Sequence, residues 1–321
     1  MIRYVSQRLI FLVVTLLIVS FLAFALLSVW PVKVTDQLER NLTLQQAQLI
    51  EEKYGLHQPF WVQYARWLRS CAALQCGVYI FIAGATEPVA KHLFGECLFG
   101  LRCYASSTLI LLMVTFLLTW VLAVPLGIYS ATHQGLRRER AIAFLGYLWL
   151  GLPSFLLAIF VSWFAYSKLN NITLAPGGHY VKFIHLMIVY ALIIGMANVA
   201  VIMRHTRGSL LDILGSDYIQ AARAKGLSEL RIVYKHAFKN ALNPLISLFG
   251  SYLPLLFEGT LITASIFNLP IVERQYWQAF SGGGQPYMVA TGLLFFSLLL
   301  LTGNFLADLL LLWSNPRIRY D

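Results

Sequence analysis

The sequence predicts an all-α protein that crosses a membrane six times. Three observations carry that expectation. Apolar residues make up 59% of the 321 and charged residues only 12%, where soluble domains average about 45–50% and about 25%. Six stretches reach the roughly 20 apolar residues that a bilayer core demands. The 24 Lys+Arg, against 14 Asp+Glu for a net charge of +10, are distributed unevenly between alternate connections. The same composition excludes disorder, collagen-like repeats and a small disulfide scaffold.

The elements follow in order. Leu9–Trp30 holds no charge and forms the first span, in an N-terminal anchor helix over 1–30. It is too long for a signal-peptide core and lacks a small-residue cleavage site after it, so it is read as retained. Residues 31–103 form an outer loop subdomain, too long for a connector. Within it Thr43–Tyr54 reads as a polar helix ending at Gly55, and Ser70–Thr86, uncharged but short, as a buried part of the loop. Tyr104–Thr132, Ala141–Ser167 and Phe183–Met203 are spans two to four. A second large loop covers 204–240. Ala241–Ile266 with Glu258, and Met288–Trp313 with Asp308, complete the set. Residues 104–321 thus form a five-helix core.

Basic residues orient the chain. With the N-terminus inside, inner segments hold 14 of them, from Arg3 and Arg8 through Arg137, Arg138, Arg140, Arg204 and Arg207 to Arg317 and Arg319. The short outer loops hold only Lys168, Lys182 and Arg274. Both termini are therefore expected inside, and the positive charge becomes a topology signal that leaves no role for nucleic acid.

The 204–240 loop has a pattern of its own. Asp217-Tyr218-Ile219-Gln220-Ala221-Ala222-Arg223-Ala224-Lys225 reads as a helix rich in small residues, and Gly226 suits a left-handed cap. After Leu227, Ser228 is placed to start a second helix, Glu229–Lys239. The alanines let another protein surface approach the backbone. On these residues alone an ordinary re-entry loop carrying positive-inside charge explains the segment equally well.

The segment DYIQAARAKGLSELRIVYKHAFKNALNPL, Asp217–Leu245, resembles the EAA-type coupling loop of ABC importer permeases. The likeness is to the dipeptide/oligopeptide/nickel group and its first, B-type subunit, with a divergent Sap-like peptide permease as one version. In that group the loop reads close to DYxxxARAKGLSxxxxxxxHAxxNAxxP. Asp217, Tyr218, Ala222, Arg223, Ala224, Lys225, Gly226, Leu227, Ser228, His236, Ala237, Asn240, Ala241 and Pro244 match. Gly55-Leu56, Gln58-Pro59, Tyr64, Trp67, Pro125, Gly127 and Pro153-Ser154-Phe155 look family-like with less specificity. Departures fall outside the loop. Pro31-Val32-Lys33 stands where the family has Pro-Gly-Asp-Pro, and Pro270-Ile271-Val272-Glu273 where it has Pro-Gly-Leu-Gly.

The resemblance implies a type I ABC importer permease in a bacterial inner membrane. The chain would pair with a second homologous permease, dock its loop on one of two cytoplasmic ATPase subunits, and receive cargo from a periplasmic or surface-anchored binding protein. Peptide is the implied cargo; nickel, antimicrobial peptide, polyamine and haem are the other cargoes among relatives. ATP and magnesium would sit on the partners, and this chain would bind no cofactor and not be an enzyme.

Motifs agree with that division of labour. The sequence contains no G-x-x-x-x-G-K-[ST], H-E-x-x-H or G-x-S-x-G. Its seven histidines show no metal-ligand pair at helical spacing, so no metal site is expected. Acids inside a span are costly to bury. Glu258 is accordingly assigned to the translocation path or the facing permease, and Asp308, near the inner end, to a neighbouring helix or the basic tail. A self-contained secondary transporter or channel is the competing class, but it normally needs more intramembrane charge.

All four cysteines, Cys71, Cys76, Cys97 and Cys103, lie in the outer loop. An oxidising compartment and a loop with little core predict two disulfides. Four cysteines admit three connectivities. Proximity favours Cys71–Cys76 with Cys97–Cys103, while a bridge between the halves would constrain the loop more.

Overall fold

The computed structural model describes residues 2–29, 43–54, 57–80, 86–95, 103–168, 180–258, 260–283 and 285–314. The chain divides into two compact units, one of residues 1–110 with 268–302 and one of 111–267 with 303–321.

The first unit opens with α1, Ile2–Val29. Its Leu9, Ile10, Phe11, Val13, Val14 and Leu17 are uncovered by protein, as an apolar helix in lipid should be. Helix α2, Leu44–Tyr54, starts where Thr43 places both its backbone N–H and its hydroxyl on Gln46 Oε1, at 3.2 and 3.0 Å. Helix α3, Phe60–Ala72, carries Phe60, Tyr64, Trp67 and Cys71 at helical spacing toward the core. Phe24 of α1 lies 5.2 Å from the Trp67 ring, and Ser20 shares a 2.8 Å hydrogen bond with the Tyr64 hydroxyl. A tight turn through Leu74, Cys76 and Gly77, all at positive φ, leads into β1 (Val78–Ile80), paired antiparallel with β2 (Thr86–Pro88), and then into α4 (Val89–Phe94). The Gln285 side chain holds both backbone groups of Ile80, accepting from its N–H and donating to its carbonyl. Val78, Ile80, Val89 and Leu93 are buried with Trp67 and Met288 in one core. Residues 60–94 therefore pack into a core shared with α1 and with residues 272–295, and have more regular structure than a loop needs.

Helix α5, Tyr104–Thr132, runs from the first unit into the second. Helices α6 (Arg137–Gly151), α7 (Ser154–Lys168) and α8 (Tyr180–Leu214) follow. In the second unit α5 meets α8 at Gly127, where a Cβ would stand 2.5 Å from that of Thr206. Small residues permit such close approach between helices in membranes. Ala123, Val199, Ile202, Met203 and Tyr252 form the core there. Helix α9 (Asp217–Ala224), α10 (Glu229–Arg231) with its π-helical continuation Ile232–Ala237, α11 (Phe238–Glu258) and α12 (Thr260–Ile266) complete the middle of the chain. The Tyr190 hydroxyl donates to the Thr260 carbonyl at 3.2 Å, tying α8 to α12. Helix α13 (Val272–Gln278), a π turn over Ala279–Gly283 and α14 (Pro286–Ser314) close the described chain.

Among the described residues, four helices are long and apolar enough to cross a membrane: Val5–Leu26, Tyr104–Thr132, Met187–Leu214 and Pro286–Leu312. A fifth is counted if the α6–α7 pair is one span, bent by 91°. The expected single span Ala141–Ser167 is thus corrected to two helices. Leu152, ahead of Pro153, is extended at φ −94 and ψ 119, because proline clashes with an α-helical predecessor. The fourth span is also longer than expected. Helix α8 continues past Met203 through Arg204 and Arg207 to Leu214, so the 204–240 loop begins in helix. The expected span Ala241–Ile266 falls on α11 and α12, either side of residue 259, and is not among the candidates.

Candidate functional site

The Asp217–Asn240 segment folds as a packed corner. Helix α9 ends in a Schellman arrangement: the Gly226 N–H donates to the Arg223 carbonyl at 2.9 Å, and the Leu227 N–H to the Ala222 carbonyl at 3.4 Å. That closure requires the left-handed backbone of Gly226, at φ +77. Arg223 then reaches across the corner. Its Nε–H donates to Glu229 Oε1 at 2.7 Å and a terminal N–H to Oε2 at 3.3 Å. This two-pronged bond holds the Glu229 carboxyl below its usual range and raises the Arg223 guanidinium above its own. The Asn240 amide donates to the Tyr218 hydroxyl at 2.9 Å, joining the start of α9 to the start of α11.

Beneath these polar ties lies an apolar floor. Ile219, Ile232, Ala237 and Ala241 are fully buried with Leu210 of α8 and with Ile128 and Ala131 of α5, and Leu227 and Ala222 pack on them half-buried. The expected second helix Glu229–Lys239 is corrected to one α turn, a π-helical segment and the first residues of α11. A π segment widens the helix and alters which side chains share a face. Ser228 occupies the N-cap position but its hydroxyl caps nothing.

Among the expected residues, Asp217, Tyr218, Ala221, Arg223, Ala224, Lys225, Gly226, Ser228 and Asn240 are exposed, Ala222, Leu227 and His236 half-buried. Two further exposed residues belong to the same surface. Leu230 is 74% and Tyr234 58% accessible; their signal in the sequence is an apolar pair four residues apart in a basic stretch. With Tyr129, His133, Leu211, Leu214, Arg223 and Glu229 they line a groove of about 990 Å³. Small side chains, protruding apolar ones and fixed charges on a rigid base suit recognition by another protein.

Glu258 ends α11, and its side chain lies outside the described residues; so does Cys97. Of the expected bridges, one is formed at Cys103 and none joins Cys71 to Cys76. Cys71 and Cys76 are free thiols, held side by side by the turn after α3, whereas Cys103 is disulfide-bonded. The Cys71 thiol donates to Cys76, which pushes Cys71 up and holds Cys76 below the ordinary thiol range.

A fully buried acid also lies outside the resemblance. Glu273, on the first turn of α13, is fully buried, and Thr108 donates to its Oε2 at 2.7 Å while accepting from the Val272 N–H at 3.0 Å. Its Oε1 has no hydrogen-bond partner. Burial pushes this carboxyl up to about 7. The signal in the sequence is an acid directly after the apolar Pro270-Ile271-Val272 run.

The chain matches known proteins over its whole length. The family described as binding-protein-dependent transport system inner membrane component matches residues 123–320, and the N-terminal part of that component matches residues 1–80. The oligopeptide transport system permease protein AppB of Bacillus subtilis is 28% identical, over 100% of both chains. The dipeptide transport system permease protein DppB of Alkalihalophilus pseudofirmus is 26% identical and the di/tripeptide permease DppB of Pseudomonas aeruginosa 27%, again over 100% of each chain. With the membrane-length helices described above, these matches show that the chain belongs to the family of binding-protein-dependent transport system inner membrane components, as a multi-pass inner-membrane permease.

Proposed function

We propose that this chain is one permease subunit of an ATP-driven peptide importer and that the Asp217–Asn240 corner is its docking element for a cytoplasmic ATPase. The observation that carries the reading is the corner's construction: a helix pair locked by Arg223–Glu229 and Asn240–Tyr218 over a buried floor shared with α5 and α8. An ATPase that pushes on α9 moves those long helices with it, because packed elements shift as units.

The reading includes six spans with both termini inside, so that α9 faces the cytoplasm and residues 31–103 the periplasm. A second homologous permease completes the path, two ATPases supply the stroke, and a periplasmic or surface-anchored binding protein delivers peptide. The relatives' names as oligopeptide, dipeptide and di/tripeptide permeases support the cargo class. Glu258 is placed on the translocation path by the cost of an acid in a span; Glu258→Gln is expected to leave insertion intact and to alter uptake.

The test is composition and contact. Affinity purification of the tagged chain is expected to recover a second permease and ATPase subunits. A cysteine placed at Ala221 is expected to cross-link to the ATPase. Recovery of the chain alone, still active in peptide uptake, overturns the reading in favour of a self-contained transporter.

A further inference from the structure

A cavity of about 310 Å³ opens between α5, α6 and α8, lined by Ser130, Glu139, Tyr147, Arg204 and Arg207 and by the backbones of Gly146 and Gly208. Its chemistry is unbalanced toward donors. Ser130 is 1% accessible and its hydroxyl has no hydrogen-bond partner. Arg207 Nε approaches Glu139 Oε1 to 3.2 Å as an ion pair, yet without hydrogen-bond alignment, so this buried N–H is also left without an acceptor. Arg204, one helical turn away, has its guanidinium carbon 5.7 Å from the centre of the Tyr147 ring. Two guanidinium groups against one carboxylate leave a net positive charge. Unpaired buried donors are costly, and the excess of positive charge favours an acceptor that carries negative charge.

We propose that this cavity binds a phosphate group. Two arginines favour a multi-oxygen anion over water or a cation, and the volume lies at the small end of ligand pockets, too tight for a peptide cargo. The phosphate has two sources. On the α6 face beside the cavity, Phe144, Leu145 and Leu148 are exposed, a surface suited to acyl chains, and basic pockets between membrane helices bind lipid headgroups. Inorganic phosphate offers the same oxygens. Placement of the cavity at the cytoplasmic membrane surface rests on the topology proposed above; the anion chemistry does not.

The test uses the full chain, purified and delipidated in phosphate-free maltoside, with two probes titrated separately: inorganic phosphate and dihexanoyl phosphatidylglycerol. Saturable one-to-one binding of at least one is expected, weakened about tenfold or more by Arg204→Gln and by Ser130→Ala, the scale of a lost hydrogen bond to a charged group. Ser130→Ala also suits a helix interior, so it keeps the test independent of folding damage. Arg231→Gln, an exposed basic residue that does not line the cavity, is expected to leave binding of both probes unchanged. Binding of the lipid probe alone assigns a headgroup; equal binding of both assigns a free anion. No saturable binding of either probe, or an equal loss with Arg231→Gln, overturns the proposal. The assay reads binding without transport, so its failure leaves the permease reading standing.

Discussion

The side-chain amide of Asn240 donates a 2.9 Å hydrogen bond to the phenol oxygen of Tyr218, 22 residues earlier in the chain. The bond is exposed, so its net contribution is modest, about 1 kcal/mol. Its effect is positional, since it fixes the first turn of α9 against the base of α11. Tyr218→Phe and Asn240→Ala are each expected to lower hydrogen-exchange protection in α9 by that amount, and the double variant by no more than either alone. Additive losses would mean that the two side chains do not act as a pair.

Gly226 should be replaceable by asparagine and not by valine. A Cβ at this position meets nothing within 4 Å, so the cost of substitution is the backbone at φ +77, about 1–2 kcal/mol for a residue with a Cβ. Asparagine tolerates that region and a β-branched residue does not. Gly226→Val is expected to reach the membrane in normal amounts and to uncouple uptake from ATP hydrolysis, while Gly226→Asn retains both. Equal uptake by the two variants at equal membrane levels argues against a lever at this corner.

The second span and the Gly226 corner were legible because each rests on a local signal: an uninterrupted apolar run in one case, small residues closed by glycine in the other. The end of α8 was not. Arg204 and Arg207 end the apolar run, and polarity reports that boundary, but the backbone stays helical to Leu214. The π segment at Ile232–Ala237 was hidden for a related reason, since its apolar spacing is compatible with either helix type. Pro153 disfavours a helical residue before it, yet the 91° angle between the two helices is not encoded by any local pattern. The burial of Glu273 and the hydrogen bond between Cys71 and Cys76 are tertiary facts, which residue type and spacing do not report.

Glu273 should make the first unit less stable as pH rises. Its folded carboxyl titrates at about 7, above the ordinary glutamate value of about 4.3. Between those values the folded protein holds a proton that the unfolded chain has lost. Stability therefore falls as pH rises through that window and levels off above it, by roughly 4 kcal/mol at most. Thermal unfolding in detergent from pH 5 to 8 reads the slope. Glu273→Gln is expected to flatten it, whatever the variant does to stability at a single pH. An unchanged slope would place the titration on another group.

Cys76 should be the reactive thiol of this chain. The thiolate is the attacking species, and an ordinary cysteine reaches it near pH 8.5. The hydrogen bond from Cys71 favours the Cys76 thiolate and, by the same bond, keeps Cys71 protonated. Alkylation of the unreduced protein across pH 6 to 9 is therefore expected to label Cys76 first and Cys71 last. Two variants separate this coupling from simple accessibility. Cys71→Ala removes the donor and is expected to move the Cys76 profile to higher pH. Cys76→Ala removes the fast site and is expected to bring the Cys71 profile down toward the ordinary thiol. Exposure alone predicts no movement of either profile, because neither substitution buries the remaining thiol further. If the Cys76 profile stays in place in Cys71→Ala, the two thiols are neighbours in space without acting on each other.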